Sequence, residues 1–156
     1  MRVLLVTSGD SFADILATEL TASTNNFSVV GVIFTQLSLG QKIRLMVEAI
    51  RKRSFYFACY LYFESIASKW INLRCKSKTI AQFCKKERIP SLNVTNLNNK
   101  KSIQFIENID HDIVLSLRPR QIFHSKFISA TQKIVNKHCS QLPNYLGMGS
   151  VLQTLA

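Results

Sequence analysis

Three stretches of the chain are apolar almost without alternation, and they constrain its fold more than any other feature. They are Val3–Thr7, Ser28–Thr35 (SVVGVIFT) and Asp112–Leu117 (DIVLSL). A strand with one face in water alternates polar and apolar residues, whereas a strand covered on both faces does not. Strands of that kind belong to a parallel sheet with helices packed on each side. The first two runs are separated by a break at Ser8-Gly9-Asp10, a capping-box pattern at Ser11-x-x-Asp14 and a turn at Asn25-Asn26. Phe12, Ile15, Leu16 and Leu20 recur at helical spacing in between. The opening therefore reads as strand, helix, strand.

The rest of the chain continues in the same style. Gly40–Arg53 carries Ile43, Met46, Val47 and Ile50 on one face, which predicts an amphipathic helix. Phe55–Leu73 is aromatic and apolar nearly all round and predicts a second helix packed on something large. Thr79–Arg88 is expected to be a short helix ended by Pro90. Leu92–Val94 is expected to be a short strand, Lys100–Ile109 a helix, Phe123–Phe127 a helical turn and Lys133–Asn136 a further strand. No repeat, low-complexity tract or Pro- or Gly-rich linker interrupts the 156 residues, so residues 1–156 read as one domain. The expected fold is α/β and Rossmann-like: a mostly parallel sheet with helices on both faces.

Composition narrows the setting. Hydrophobic residues make up 47% of the chain, enough for a packed core. The net charge of +11 favours an anionic partner such as nucleic acid, a phosphate-bearing or polyglutamyl ligand, or a membrane surface. Cys59, Cys75, Cys84 and Cys139 form no C-x-x-C pair and stand at no zinc-finger spacing from His111, His124 or His138, so no metal site is expected. The apolar start is too short for a signal peptide, and Phe55–Phe63 is far shorter than the roughly 20 residues of a membrane span. A cytoplasmic protein with no membrane partner is the expectation.

In an open parallel sheet, ligands bind beyond the carboxyl ends of the strands. Two segments stand there: Ser116–Phe123 (SLRPRQIF) and Asn136–Gly147 (NKHCSQLPNYLG). An Asn amide donates hydrogen bonds without titrating, and a His titrates near neutrality. Two positions apart after a strand, Asn136 and His138 point toward one pocket.

The second segment resembles the signature of the formyltransferases that use 10-formyltetrahydrofolate, roughly N-x-H-x-S-L-L-P-x-Y-R-G after a strand. Asn136, His138, Ser140, Leu142, Pro143, Tyr145 and Gly147 match in register, while Gln141 and Leu146 depart from it. Asp112, Gln121 and Ile122 fall in place in the family's preceding pattern, and Arg88-Ile89-Pro90 resembles its "-GIP-". The resemblance implies transfer of a formyl group to a primary amine. Asn136 would then donate to the oxyanion of the tetrahedral intermediate, and His138 would act as acid–base or electrostatic partner. Ser116, Leu117, Arg118, Gln121 and Ile122 would line the pterin pocket, and Ser140, Tyr145 and Gly147 the acceptor side. The implied donor is 10-formyltetrahydrofolate. The acceptor stays open among methionyl-tRNA, a nucleotide-linked amino sugar and a ribosylglycinamide, although residues 36–78 do not resemble the methionyl-tRNA enzymes. The family also uses an Asp a few tens of residues beyond the His. The chain ends at Ala156 without it, which implies an amino-terminal part truncated before the domain is complete.

Blander roles weigh against several residues. Cys139 reads as a small buried residue, and His111 and His124 as surface or packing residues. The basic residues from Lys42 to Lys101 read as a solvated helix surface before a tRNA face. The aromatic run from Phe55 reads as core or interface packing before a sugar-, partner- or lipid-binding surface. Gly9 lies in the first strand–helix loop, but no G-x-G-x-x-G accompanies it, so no nucleotide cofactor is indicated. Two alternatives to an enzyme remain: a folate- or partner-binding module without turnover, and a remnant whose uncovered edge aggregates unless a homo-oligomer buries it.

Overall fold

The computed structural model of the chain describes residues 1–9, 14–15, 19, 27–52, 55–56, 59–60, 62–63, 66, 70, 79–119 and 121–137. Ser11, the turn at Asn25-Asn26 and the whole segment from His138 onward lie outside the described residues. So does most of the expected helix Phe12–Leu20, of which Asp14, Ile15 and Glu19 are helical. In the aromatic stretch from Phe55, every described position up to Trp70 is helical as well.

Among the described residues, five strands form one sheet, β1 (Arg2–Thr7), β2 (Ser28–Thr35), β3 (Ser91–Val94), β4 (Ile113–Leu117) and β5 (Ile134–Lys137), in the order β3-β2-β1-β4-β5. All neighbouring pairs are parallel. The central strand β1 shows why its sequence does not alternate. Val3 and Leu5 face one core, Leu4 and Val6 face the other, and none of the four is more than 2% exposed.

The first core packs Val32, Phe34 and Leu117 against Ile80 and Cys84 of α2 (Ile80–Lys86), the described helix that follows α1 (Leu39–Lys52). The second packs Ile33, Val94 and Val114 against Ile106 of α3 (Lys100–Asn108) and Phe127 of α4 (Ser125–Ser129). Helices thus cover both faces. Helix α1 joins neither core, and every position of it whose burial is described is exposed.

Local chemistry sets the helix ends. Thr79 and Gln82 form a capping box at the start of α2, and the buried Asp14 accepts a further bond from the Ile80 amide at 3.2 Å. The sequence reads Asp14 as the partner of Ser11 in a capping box, and Ser11 lies outside the described residues; the Asp14 carboxylate also serves a helix far along the chain. Helix α2 stops at Lys86, before Pro90 acts, because Arg88 takes a left-handed conformation (φ 54°) and the Ile89 amide turns back to the Cys84 carbonyl at 2.8 Å. Asn99 caps α3 by accepting from the Ser102 amide and hydroxyl.

On β2, the register against β1 skips Val30, so Gly31 rather than Val30 pairs with Leu4. A Cβ on Gly31 would stand 2.6 Å from Ile109 Cδ1. Its absence lets the end of α3 close on the sheet.

Candidate active site at the carboxyl ends of the strands

The chain runs outward from β1 to β2 to β3, then crosses back to place β4 on the other side of β1. The strand order reverses between β1 and β4, and such a reversal opens a crevice at the carboxyl ends where ligands bind. Here it lies between Thr7-Ser8-Gly9 and Leu117-Arg118-Pro119.

Three observations mark this crevice as built. Thr35, 2% exposed at the end of β2, places its Oγ1 2.5 Å from the Pro119 carbonyl oxygen and 3.2 Å from that of Thr7, tying three strand ends together. Gly9 (φ 63°) and Arg118 (φ 50°) both turn left-handed where the chain leaves β1 and β4. The Gly9 position also tolerates no side chain without crowding, since a Cβ there would meet Phe34 Cδ1 at 3.3 Å. A left-handed conformation costs a residue other than glycine roughly 1–2 kcal/mol, and such strain persists where the surroundings hold it.

Beside the crevice, Ser116 and Asn136 pair across β4 and β5, each next to last in its strand. The fully buried Ser116 Oγ donates to Asn136 Oδ1 at 2.9 Å. This engages the acceptor end of the amide. Its NH2 end has no hydrogen-bond partner among the described residues and lies at the carboxyl edge of the sheet.

The loop from Arg118 is held from outside the sheet. Gln121 Oε1 accepts from the Leu97 amide at 2.7 Å, and its Nε2 donates to the Thr95 carbonyl at 2.9 Å. Asn98 repeats the pattern, donating to the Ile122 carbonyl and accepting from the His124 amide. Both ends of the Gln121 amide are therefore used in holding the loop. The Ile122 side chain is exposed and the Leu117 side chain lies in the core. Ser116 and Asn136 are thus brought together, Leu117 and Arg118 stand at the crevice, and Gln121 and Ile122 sit farther along the clamped loop. His138, Ser140, Tyr145 and Gly147 lie outside the described residues.

Thr35 and Gly9 were not among the residues singled out from sequence as site residues. The signal for Thr35 is a polar residue closing an otherwise apolar run. His111 is buried, its Nδ1 2.7 Å from the Ile109 carbonyl. Its Nε2 is buried with no hydrogen-bond partner among the described residues. His124 stands before α4 and makes no side-chain cap. Asp110 and Asp112 bind Arg2 at the amino end of the sheet, away from the crevice. A shallow depression of about 390 Å³ between α3 and α4, lined by Ile103, Glu107 and Lys126 among others, includes no strand residue. Among the described residues no group of three His, Cys, Asp or Glu side chains could hold a metal, and no helix is long and apolar enough to cross a membrane.

No protein-family model and no curated protein matches the sequence. Solved structures do match. The phosphoribosylglycinamide formyltransferase of Anaplasma phagocytophilum superposes over 99% of this chain with a TM-score of 0.55 at 16% identity. That of Bacillus halodurans does so over 99% with a TM-score of 0.56 at 17% identity. The chain has a formyltransferase fold. It spans 57% and 64% of the length of those two chains. At such identities the likeness is one of fold.

Proposed function

We propose that the chain is the donor-binding part of a formyltransferase, which moves a formyl group from 10-formyltetrahydrofolate to a primary amine. The observation that carries this reading is the orientation of the Asn136 amide. The Ser116 hydroxyl engages its oxygen, and its NH2 is left to donate at the carboxyl ends of β4 and β5. A neutral donor held in place before reaction is what an oxyanion needs, because no reorganisation is required as charge develops.

The donor substrate supplies the activated formyl carbon. On this reading, the chain supplies a crevice beside β1 and β4, a clamped loop at 118–124 and the Asn136 donor. His138, two residues on, would handle the proton leaving the amine. The solved relatives named above act, by their names, on phosphoribosylglycinamide. For this chain the acceptor is a primary amine on a ribosylglycinamide, a nucleotide-linked amino sugar or methionyl-tRNA.

Calorimetric titration with a stable 10-formylfolate analogue tests the donor site, and release of tetrahydrofolate in the presence of each acceptor class tests transfer. Asn136→Ala is expected to lower kcat by about 10²–10³-fold while leaving analogue affinity within about threefold, the pattern for a donor used in the transition state. Unchanged turnover in Asn136→Ala would remove the basis of the proposal. Analogue binding without transfer to any acceptor would favour the binding-module alternative.

A further inference from the structure

Helix α1 and the aromatic stretch after it form the least covered part of the described molecule. Of the large hydrophobic side chains that are exposed among the described residues, 13 of 18 lie between Leu39 and Trp70. On α1 the stripe is continuous, with Ile43 56%, Met46 42%, Val47 57% and Ile50 44% exposed. Apolar patches of this kind mark a surface that meets another phase or another molecule.

The charge pattern identifies which. With about 100° between successive helix positions, Lys42 falls on one margin of the stripe and Arg44 and Arg51 on the other. Glu48, the helix's one acidic residue, lies opposite the stripe. Residues 39–78 hold nine of the basic side chains and two of the acidic ones, which is seven of the chain's eleven net positive charges. Apolar residues along the centre, cations at the margins and aromatic residues following are the arrangement of a helix lying in a lipid interface. The cationic side chains can extend to the headgroups while their stems cover acyl chains. A second copy of the chain fits less well, because a two-fold contact would bring cationic margins together. Nucleic acid would leave the apolar stripe in water.

We infer that α1, with the exposed aromatic residues that follow it, docks the protein onto an anionic lipid bilayer. This contact lies in the plane of the membrane and needs no spanning helix. It amends the expectation, drawn from the lack of a membrane span, that no membrane partner is involved. It is also independent of the proposed chemistry, since none of these residues belongs to the crevice.

The test uses the full chain with vesicles of phosphatidylcholine alone and of phosphatidylcholine with one third phosphatidylglycerol. Trp70, the chain's one tryptophan, reports directly. Co-sedimentation with the phosphatidylglycerol vesicles and a blue shift of tryptophan emission are expected, both weakening as salt is raised. The double variant Met46→Glu, Ile50→Glu alters exposed positions and should keep the wild-type circular dichroism. It is expected to weaken binding by about tenfold or more, since partitioning scales with apolar area buried. Arg44→Glu with Arg51→Glu should abolish the preference for the anionic vesicles. Failure to bind at low salt, or binding that neither double variant alters, overturns the inference. So does a concentration-dependent dimer that buries Trp70 without lipid and is lost in the Met46→Glu, Ile50→Glu variant, which would make a second copy the occupant. Folate-analogue affinity should be the same in both double variants, so this inference and the proposed function fail separately.

Discussion

Asp112 shows how one side chain serves the sheet without entering its chemistry. It accepts from the Arg2 amide at 2.7 Å and from the Arg2 guanidinium at 2.8 Å, joining the amino ends of β1 and β4. Side-chain and then backbone hydrogen bonds from Arg2 hold its carboxyl below the usual carboxylate range. A carboxyl with a depressed folded-state pKa stabilises the fold above its unfolded value, and that stability is lost as pH falls through the folded value. Asp112→Asn is accordingly expected to melt at a lower temperature than the wild type at neutral pH. The gap should close in acid below the ordinary carboxylate range, which melting curves across pH will show. Ser116 is the contrasting case. It interrupts the apolar run of β4, and a hydroxyl in a core is tolerated when it has a partner, here Asn136. Both residues were singled out in the sequence by the resemblance, at the start of and inside an apolar run. Their partners were not legible, because nothing local ties position 116 to 136 or position 2 to 112.

At the level of elements, hydrophobic pattern and punctuation located the strands and helices, and packing decided what each one does. Helix α4 has five residues, too few to be stable by itself. Phe127 holds it down, fully buried against Leu4, Val6 and Ile106, with its ring centroid 5.0 Å from that of Phe123. Phe127→Ala is expected to lower unfolding stability by about 3–5 kcal/mol, measured by denaturant titration, because the site cannot collapse around the lost ring. The end of α2 shows the other side. Pro90 was the visible stop signal, yet the left-handed turn at Arg88 ends the helix earlier. An arginine carries no sequence mark for that conformation, whereas a glycine there would have shown it.

Across the described molecule, cover is uneven. The sheet is buried on both faces around β1, while α1 is open along its whole described length. Opening free energies follow buried contact, so amide hydrogen exchange should rank these parts. Without lipid, the amides of β1 and the paired amides of β2 and β4 are expected to exchange slowest, near the rate of global unfolding. Those of α1 should exchange fastest among the helices, and a slow α1 in the free protein would show that a partner surface already covers it. Anionic vesicles should slow α1 and leave β1 unchanged.

What the sequence determined by itself was the class of fold. Unalternating apolar runs demand cover on both faces, and helical spacing between them supplies it, so a parallel α/β sheet follows from burial alone. It also placed Asn136 at the end of a strand read from pattern, while Ser116, next to last in its strand, was singled out by the resemblance. Only the tertiary structure decided the strand order, because β3 and β4 could each have added to either side of β1 without changing any local preference. That order sets the crevice between β1 and β4, the approach of Ser116 to Asn136 and the role of Thr35. The structure also decided that α1 is uncovered. Periodicity shows that a helix has an apolar face, but only the positions of all the other elements show whether anything within the chain is there to meet it.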